Sequence, residues 1–585
     1  MSQREGSFLK RNLKKIVILA CIAVVLIAGF LGFKFLVKVG SIKYIYNYMN
    51  DTAGELELIS NPEGAKGANA KKPSATDDTK PSLYGIEESI YSDGQKVGSF
   101  KRKNKIDFSD AFVGSFADGI GMTTFRGDYH RNLSSMGVAD IVKESFGRET
   151  WEYTTGKVLK SNGVDYWSGN GWTGQPVVVR WDERTKRNMN LYDEAKDNPG
   201  LVEVIYPGMD GWIHFVDLET GEETRPQINV GMTFKGSASL YPGGVPLLFC
   251  GSGDAQTGPF GENVCQRFYI YSLIDGSLLF EYGFNDEKAP RIWHAYDSSP
   301  LIDPGSDTLI YPGENGVIYT MKLNTSYDER EGTVSVAPSD FVDYTFTSER
   351  YSEDGHLWGS ESSASAWKGY VFVGDNSGLL YCLDLNSMKM VWAQDLREDI
   401  NSSVIFDEDE SGNRFLYAAT TLKYNYGEHF TGTASIFKIN AMTGEIVWEK
   451  PYEVHTVKGL AGGVLSTGVA GKGSLSDYLF YSVSKTPELD GGYIVALSKK
   501  TGEEIWKIDL DMYSWSSTAL VTAESGKAYL IQGCQNGDLL LIDAVEGKVL
   551  DRRNFGTGIE ATPVVIGNRI VFGTRSEKII GLAIE

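Results

Sequence analysis

Apolar and polar residues alternate with a period of two through most of this chain. Residues 492–506 show the pattern. Tyr493, Val495 and Leu497 alternate with Ile494, Ala496 and Ser498 as in a strand. Lys500-Thr501-Gly502 follows as turn chemistry, and Gly502 is free to take a positive φ. Ile505-Trp506 then begins a return strand with a large ring for packing. The same arrangement recurs. Gly444 leads Trp448 by four residues, Gly502 leads Trp506, and Gly276 leads Phe280. Met388 replaces the glycine before Trp392, whereas Gly221 and Gly547 keep the turn but lead to Arg225 and Asp551. Four residues before each turn position stands a short polar residue: Asp217, Ser272, Asp384, Asn440, Ser498 or Asp543. Such a side chain can accept hydrogen bonds from the turn's amides.

A pair of small residues precedes each unit. Ser298-Ser299, Ser362-Ser363, Ser402-Ser403, Ser516-Ser517 and Ala561-Thr562 are clear; Gln175-Pro176, Ser237-Ala238 and Gly462-Gly463 are weaker copies. Units start about 40 to 64 residues apart, near the roughly 40–50 of propeller repeats. Four antiparallel strands per repeat make a propeller blade, with the small residues on the crowded inner strand and the Trp between outer strands. The last unit runs from Ala561 to Ala583 without a Trp strand, and a spare one stands at Thr150 to Gly156. Pairing the two would close the ring and remove two sheet edges. The expected fold is therefore an all-β, eight-bladed propeller over residues 150–585. The third unit, about residues 293–350, lacks the turn and Trp mark.

The Asp-x-x-Thr-Gly-x-x-x-Trp pattern, seen as Asn440 to Trp448, resembles the pyrroloquinoline-quinone (PQQ)-type propeller repeat across residues 150–585. Thr124 to Asn132 resembles the Phe-Arg-Gly-Asn-Pro-x-Arg lead-in of such propellers, with Asp128-Tyr129 in place of Asn-Pro. The resemblance implies the fold. For activity it implies two alternatives: quinone-dependent alcohol and sugar dehydrogenases, which hold PQQ with calcium in the channel funnel, and non-enzymatic envelope propellers such as the lipoprotein that helps assemble outer-membrane proteins. Many of the alcohol dehydrogenases carry two adjacent cysteines, and this chain has no such pair.

Ahead of the propeller the pattern changes. Residues 1–15 are polar and basic, and Ile16 to Phe33 carries no charge. Eighteen such residues span roughly 27 Å as a helix, enough to cross a bilayer. Lys34 can snorkel, which extends the expected anchor to 16–37. Five basic residues precede the span, which puts residues 1–15 in the cytoplasm and the propeller outside a cell membrane crossed once. Residues 38–82 read as a flexible tether. Residues 83–149 read as a lead-in packed on the propeller, with a hairpin around Ser92-Asp93-Gly94.

The net charge of −21 divides unevenly. Residues 1–43 hold eight basic residues against one acid, leaving −28 for the rest. That balance excludes a nucleic-acid partner, which requires a basic face.

Candidate chemistry is sparse. Cys250 and Cys265 flank an insertion and could pair outside the membrane, or remain buried thiols. Asp407, Asp409 and Ser411 occupy the spacing of a calcium loop, but Ala418 stands where a bidentate Glu is required. The alternative there is a solvated hairpin turn. The residues just before the small pairs are Asp297, Glu361, Asn401, Trp515 and Glu560, one level near a channel mouth, with Trp293, His294 and Trp358 close in sequence. Aromatics with convergent carboxylates suit a cation, a basic peptide or a sugar; the bland alternative is a set of wetted polar caps. No catalytic motif is present. The leading expectation is a non-catalytic scaffold or binding module of the cell envelope, without a cofactor, whose partner is an envelope protein or wall component. The alternatives are a PQQ- and calcium-dependent dehydrogenase and an ectodomain sensor.

Overall fold

Eight antiparallel sheets follow one another, each laid down from the axis outward. A computed structural model describes residues 56–108, 121–160, 162–170, 172, 174–254, 256–257, 263–264, 266–350, 358–427, 430–457 and 460–585. The expected tail, anchor and first part of the tether lie outside these residues. Among those described, no helix is long and apolar enough to cross a membrane.

Numbered in chain order, the blades begin on inner strands Val177–Val179, Ser239–Leu240, Leu301–Asp303, Ser365–Trp367, Ile405–Glu408, Val469–Ala470, Ala519–Thr522 and Val564–Ile566. Blade 6 continues through Tyr478–Ser484, Gly492–Ser498 and Glu504–Leu510, as the alternation of its residues requires. Closure follows the sequence pattern. Phe146–Thr154 pairs with Lys578–Ile584 as the fourth strand of blade 8, placing Trp151 opposite Gly581.

The repeat's marks explain how blades grip each other. Trp151, Trp392, Trp448 and Trp506 lie over the turn glycines of the next blade, Gly221, Gly444, Gly502 and Gly547. A methyl group on any of these glycines would come within 2.4 to 2.8 Å of the ring. Each indole N–H donates to a turn carbonyl, of Leu218, Ala441, Lys499 and Ala544 respectively. The short polar residues hold the turns: Asp217, Asp384 and Asp543 each accept from two following amides. Near the axis the small residues form a second belt. Ser299 N–H donates to Ser363 Oγ, Ser363 to Ser403, Ser403 to Thr467 and Thr467 to Ser517. Ser516 then donates to Ala561 O, Thr562 N–H to Gly174 O, and Gln175 N–H to Ser237 Oγ.

Blade 3 lacked the turn mark because a hairpin, Ser326–Asp328 with Thr333–Ser335, replaces its tight turn. Its outer edge is covered by the lead-in hairpin Glu87–Ser92 and Gln95–Val97, joined by Asp93-Gly94 with both φ positive. Residues 56–82, expected as tether, instead lie along the outer edge of the ring. Ile59–Ser60 adds a strand to blade 5, Asn440 Nδ2 donates to the carbonyls of Gly64 and Lys66, and Ala68 is buried. Backbone hydrogen bonds to an open edge hold this segment, so it needs no apolar periodicity.

Residues 121–139 plug the channel, reaching from the level where inner strands begin to the end where they finish. Gly121–Met122 pairs with blade 1, and isolated bridges join Met136 to Ile566 and Ala139 to Ala523. Arg126 and Arg131 are fully buried within the ring. Arg126 donates to Thr518 O of blade 7 and to Gly468 O at the start of blade 6. Arg131 donates to the carbonyls of Ser299 and Ala364, at the starts of blades 3 and 4. Burial pulls both guanidinium groups down, to about 10 and about 9.

Candidate functional site

The other mouth is open in chemistry. Its lining comes from two sets of loops: those leading into inner strands, and those joining the second strand of each blade to the third. The sequence pattern exposes the first set. Asp297, Glu361, Asn401, Trp515 and Glu560 stand at one level, each four residues ahead of the inner strands of blades 3, 4, 5, 7 and 8. Close approach sets the spacing there. A side chain at Gly236 would place its Cβ 2.0 Å from Asp297 O of the next blade, so only glycine fits and the preceding Lys235 carries the chemistry.

Lys235 is the centre of the aromatic wall. Its Nζ lies 4.9 Å from the Trp167 ring and 5.8 Å from those of Trp172 and Trp293. Burial works against its charge, but Asp297 and Asp254 hold its pKa above the ordinary value. Trp172 packs on Trp515 at 5.7 Å, and Trp515 on Tyr513 at 5.2 Å.

The charged side spans blades 3 to 5. Trp293 Nε1 donates to Glu314 at 3.0 Å, and Arg291 pairs with the same carboxylate at 3.0 Å. Arg291 also donates to Asn376, which donates to Asp399; Asp399 pairs with Lys423 at 2.8 Å. Burial pushes Glu361 up to about 8, helped by its hydrogen bond to Glu314. Burial pushes Asp297 up to about 7 against the pull of Lys235. Asn401 Nδ2 donates to Thr421. Among the described residues, Asp297 Oδ1, Asn401 Oδ1, Gln535 Oε1 and Trp515 Nε1 are buried atoms without a hydrogen-bond partner. Glu560 accepts from Gln535, and its other oxygen meets Arg575 only at 3.7 Å.

The structure thus brings Trp293, Asp297, Glu361, Asn401, Trp515 and Glu560 to the mouth. Trp358 does not join them: its ring is buried in the core and its N–H donates to Ser348 Oγ. His294 is half-buried, and burial lowers its pKa; its charged neighbour is Asp286, outside the cluster. Asp407 pairs with Lys499 at 2.7 Å and accepts from Asn132, while Asp409 accepts from the amides of Ser411 and Asn413. Those carboxylates are committed to the fold, so the calcium-loop spacing marks a hairpin turn. Cys250 is fully buried; Cys265, its candidate disulfide partner, lies outside the described residues. Among the described residues no group of three or more Asp, Glu, His or Cys is disposed to hold a metal ion.

Lys235, Glu314, Asn376, Lys423, Gln535 and Arg575 were not singled out from sequence. Four of them follow the glycine that ends a second strand: Gly313-Glu314, Gly374-Asp375-Asn376, Gly533-Cys534-Gln535 and Gly573-Thr574-Arg575. Aligning the units on that glycine would have found them.

Residues 345–475 and 490–585 match the family profile described as "Outer membrane protein assembly factor BamB". These blades carry PQQ-type repeats. Two curated proteins, the dehydrogenase subunits of the quinone alcohol dehydrogenases of Gluconacetobacter polyoxogenes and Komagataeibacter europaeus, are each 23% identical to the chain, over 248 and 250 residues. Each alignment takes in 33% of this chain, and the chain spans about a third of the length of these relatives, 32% and 33%. Among solved structures, BamB from Moraxella catarrhalis is 14% identical, with 69% of this chain and 96% of that chain covered at a TM-score of 0.42. A europium-containing methanol dehydrogenase is 13% identical, with 78% and 90% covered at a TM-score of 0.37.

Proposed function

We propose that this protein is a non-catalytic binding module of the cell envelope, anchored in the membrane through residues 16–37 with its propeller outside the cytoplasm. The observation that carries the reading is the contrast between one mouth filled by the plug and another that presents unpaired polar atoms within a wall of tryptophans. A rigid ring with one receptive mouth is built to hold a partner. The match of the later blades to a profile named for an assembly factor supports the same reading. Its partner is an envelope protein or a wall component.

The dehydrogenase alternative asks the mouth to hold calcium and a quinone. Glu314 is committed to Arg291 and Trp293, and Asp399 to Lys423 and Asn376, so the carboxylates fit a cation-paired network better than a calcium shell.

A photo-crosslinking residue at Ile292, 81% exposed beside the mouth, tests the module reading in intact cells. The expected result is one dominant adduct with an envelope component. Calorimetric titration of the full-length protein with PQQ, with and without calcium, is the counter-test. Tight calcium-dependent binding would overturn the non-catalytic reading.

A further inference from the structure

We propose that the part of the mouth between blades 3, 4 and 5 receives a basic side chain, arginine or lysine, carried on a loop of a partner protein. This rests on the binding-module reading and names the chemistry the module recognises. The geometry that carries it is a run of acceptors on three consecutive inner-strand starts. Asp297 Oδ1 and Asn401 Oδ1 are buried without partners, and Glu361 stands between them in blade order.

Among the described residues, the cations of this mouth do not fill this place. Each is already held: Arg291 by Glu314, Lys423 by Asp399, and Lys235 within the tryptophan cage beside Asp297 and Asp254. The groups that face Glu361 from the surrounding loops are Lys235 of blade 2, Arg291, Asp297 and Glu314 of blade 3, and Asp399 and Lys423 of blade 5. In that company Glu361 keeps its proton at neutral pH and Asp297 is about half protonated, so protons stand where a positive charge is missing. A guanidinium or ammonium would supply three or more donors to these acceptors and release the protons. The missing group is mainly a donor, because among the described residues of this mouth unpaired acceptors outnumber unpaired donors such as Trp515 Nε1. The Trp515 N–H suits a carbonyl of the inserted loop. Apolar side chains on loops of the same face suit the flanks of such a loop. Ile292 is 81% exposed, and Phe284, Phe430, Leu460 and Leu489 are also exposed.

The test uses the full-length protein in detergent and N-acetyl-arginine-N-methylamide as the probe, titrated calorimetrically at pH 7 in two buffers of different ionisation enthalpy. The expected result is saturable binding with proton release, at least about tenfold weaker for the citrulline analogue, which keeps the shape without the charge. Glu361→Gln mimics the protonated carboxyl and so preserves the fold; it is expected to weaken binding about tenfold and abolish much of the proton release. Equal binding of the citrulline analogue, unchanged affinity in Glu361→Gln, or binding of an N-acetylglucosamine oligomer in place of the arginine probe would each overturn the proposal. A crosslinked partner from Ile292 without arginine binding removes this proposal and leaves the module reading. Arginine binding without any crosslinked partner would overturn both, because the proposed side chain is carried by a partner.

Discussion

The two mouths of the channel use charge in opposite ways. Within the plug, Arg126 and Arg131 form no ion pair among the described residues, and their guanidinium groups donate to carbonyls from four blades, leaving Arg126 Nε as the one guanidinium nitrogen without a partner there. At the other end, carboxylates and cations from neighbouring blades pair with each other, yet acceptors are left over. A buried donor set matched to backbone carbonyls locks a structure in one arrangement. A buried acceptor set left unmatched stores affinity for something that arrives later. On the proposed reading, the plug serves stability and the other mouth serves recognition.

The contrast can be broken most severely at the plug. Arg131→Met leaves carbonyls of blades 3 and 4 without their donor and is expected to cost on the order of 4 kcal/mol, read as a shift of the urea midpoint without a change in slope. A variant as stable as the native protein would remove the plug from the stabilising side of the comparison. Slightly smaller is Trp448→Ala, which removes both the ring over Gly502 and the N–H bond to Lys499 O. It is expected to cost about 3 kcal/mol in the same measurement.

The open mouth predicts a dependence on pH instead. Glu361 and Asp297 titrate above ordinary carboxyls, at about 8 and about 7. A raised carboxyl leaves the folded state at no disadvantage below the unfolded-state pKa, near 4.5 for Glu361 and 3.8 for Asp297. Stability is then lost as pH rises toward the folded values, by up to about 1.4 kcal/mol per pH unit for each group. Glu361→Gln is expected to flatten its share of that decline between pH 4.5 and 8. Denaturant midpoints across this range check it, and an unchanged slope would mean that Glu361 does not hold its proton. The smallest effect belongs to Ile292→Ser, which is expected to leave stability within about 0.5 kcal/mol while reducing capture of a partner. An equally destabilised variant would place Ile292 on the structural side.

Much of the ring was legible because repetition multiplies weak signals. One Gly followed four residues later by Trp says little, but its recurrence marked the turns, and the spare strand at Trp151 announced closure. What failed was local and physical. The hairpin at Ser326 to Ser335 erased the mark of blade 3. Residues 56–82 are held by backbone bonds, which leave no periodicity in side chains. Trp358 and Trp293 look alike in sequence, yet one turns into the core and the other toward Glu314. Half of the mouth was legible at the starts of inner strands. The remainder lay after the glycines ending second strands, where the polar residues differ from blade to blade.

The closing strand has a consequence for how the molecule is made. Phe146–Thr154 leaves the ribosome before any complete blade, while its partner Lys578–Ile584 follows every other strand of the ring. Until then the strand around Trp151 has no sheet to belong to, and its N–H and C=O groups stand bare while all the other blades are made. A chain delivered across a membrane N-terminal part first would carry this unmated edge on the far side for that interval. Such an edge invites mispairing with other emerging strands. Closure of the ring would therefore wait on Lys578–Ile584, and a chain cut short ahead of that strand would hold a ring that cannot shut.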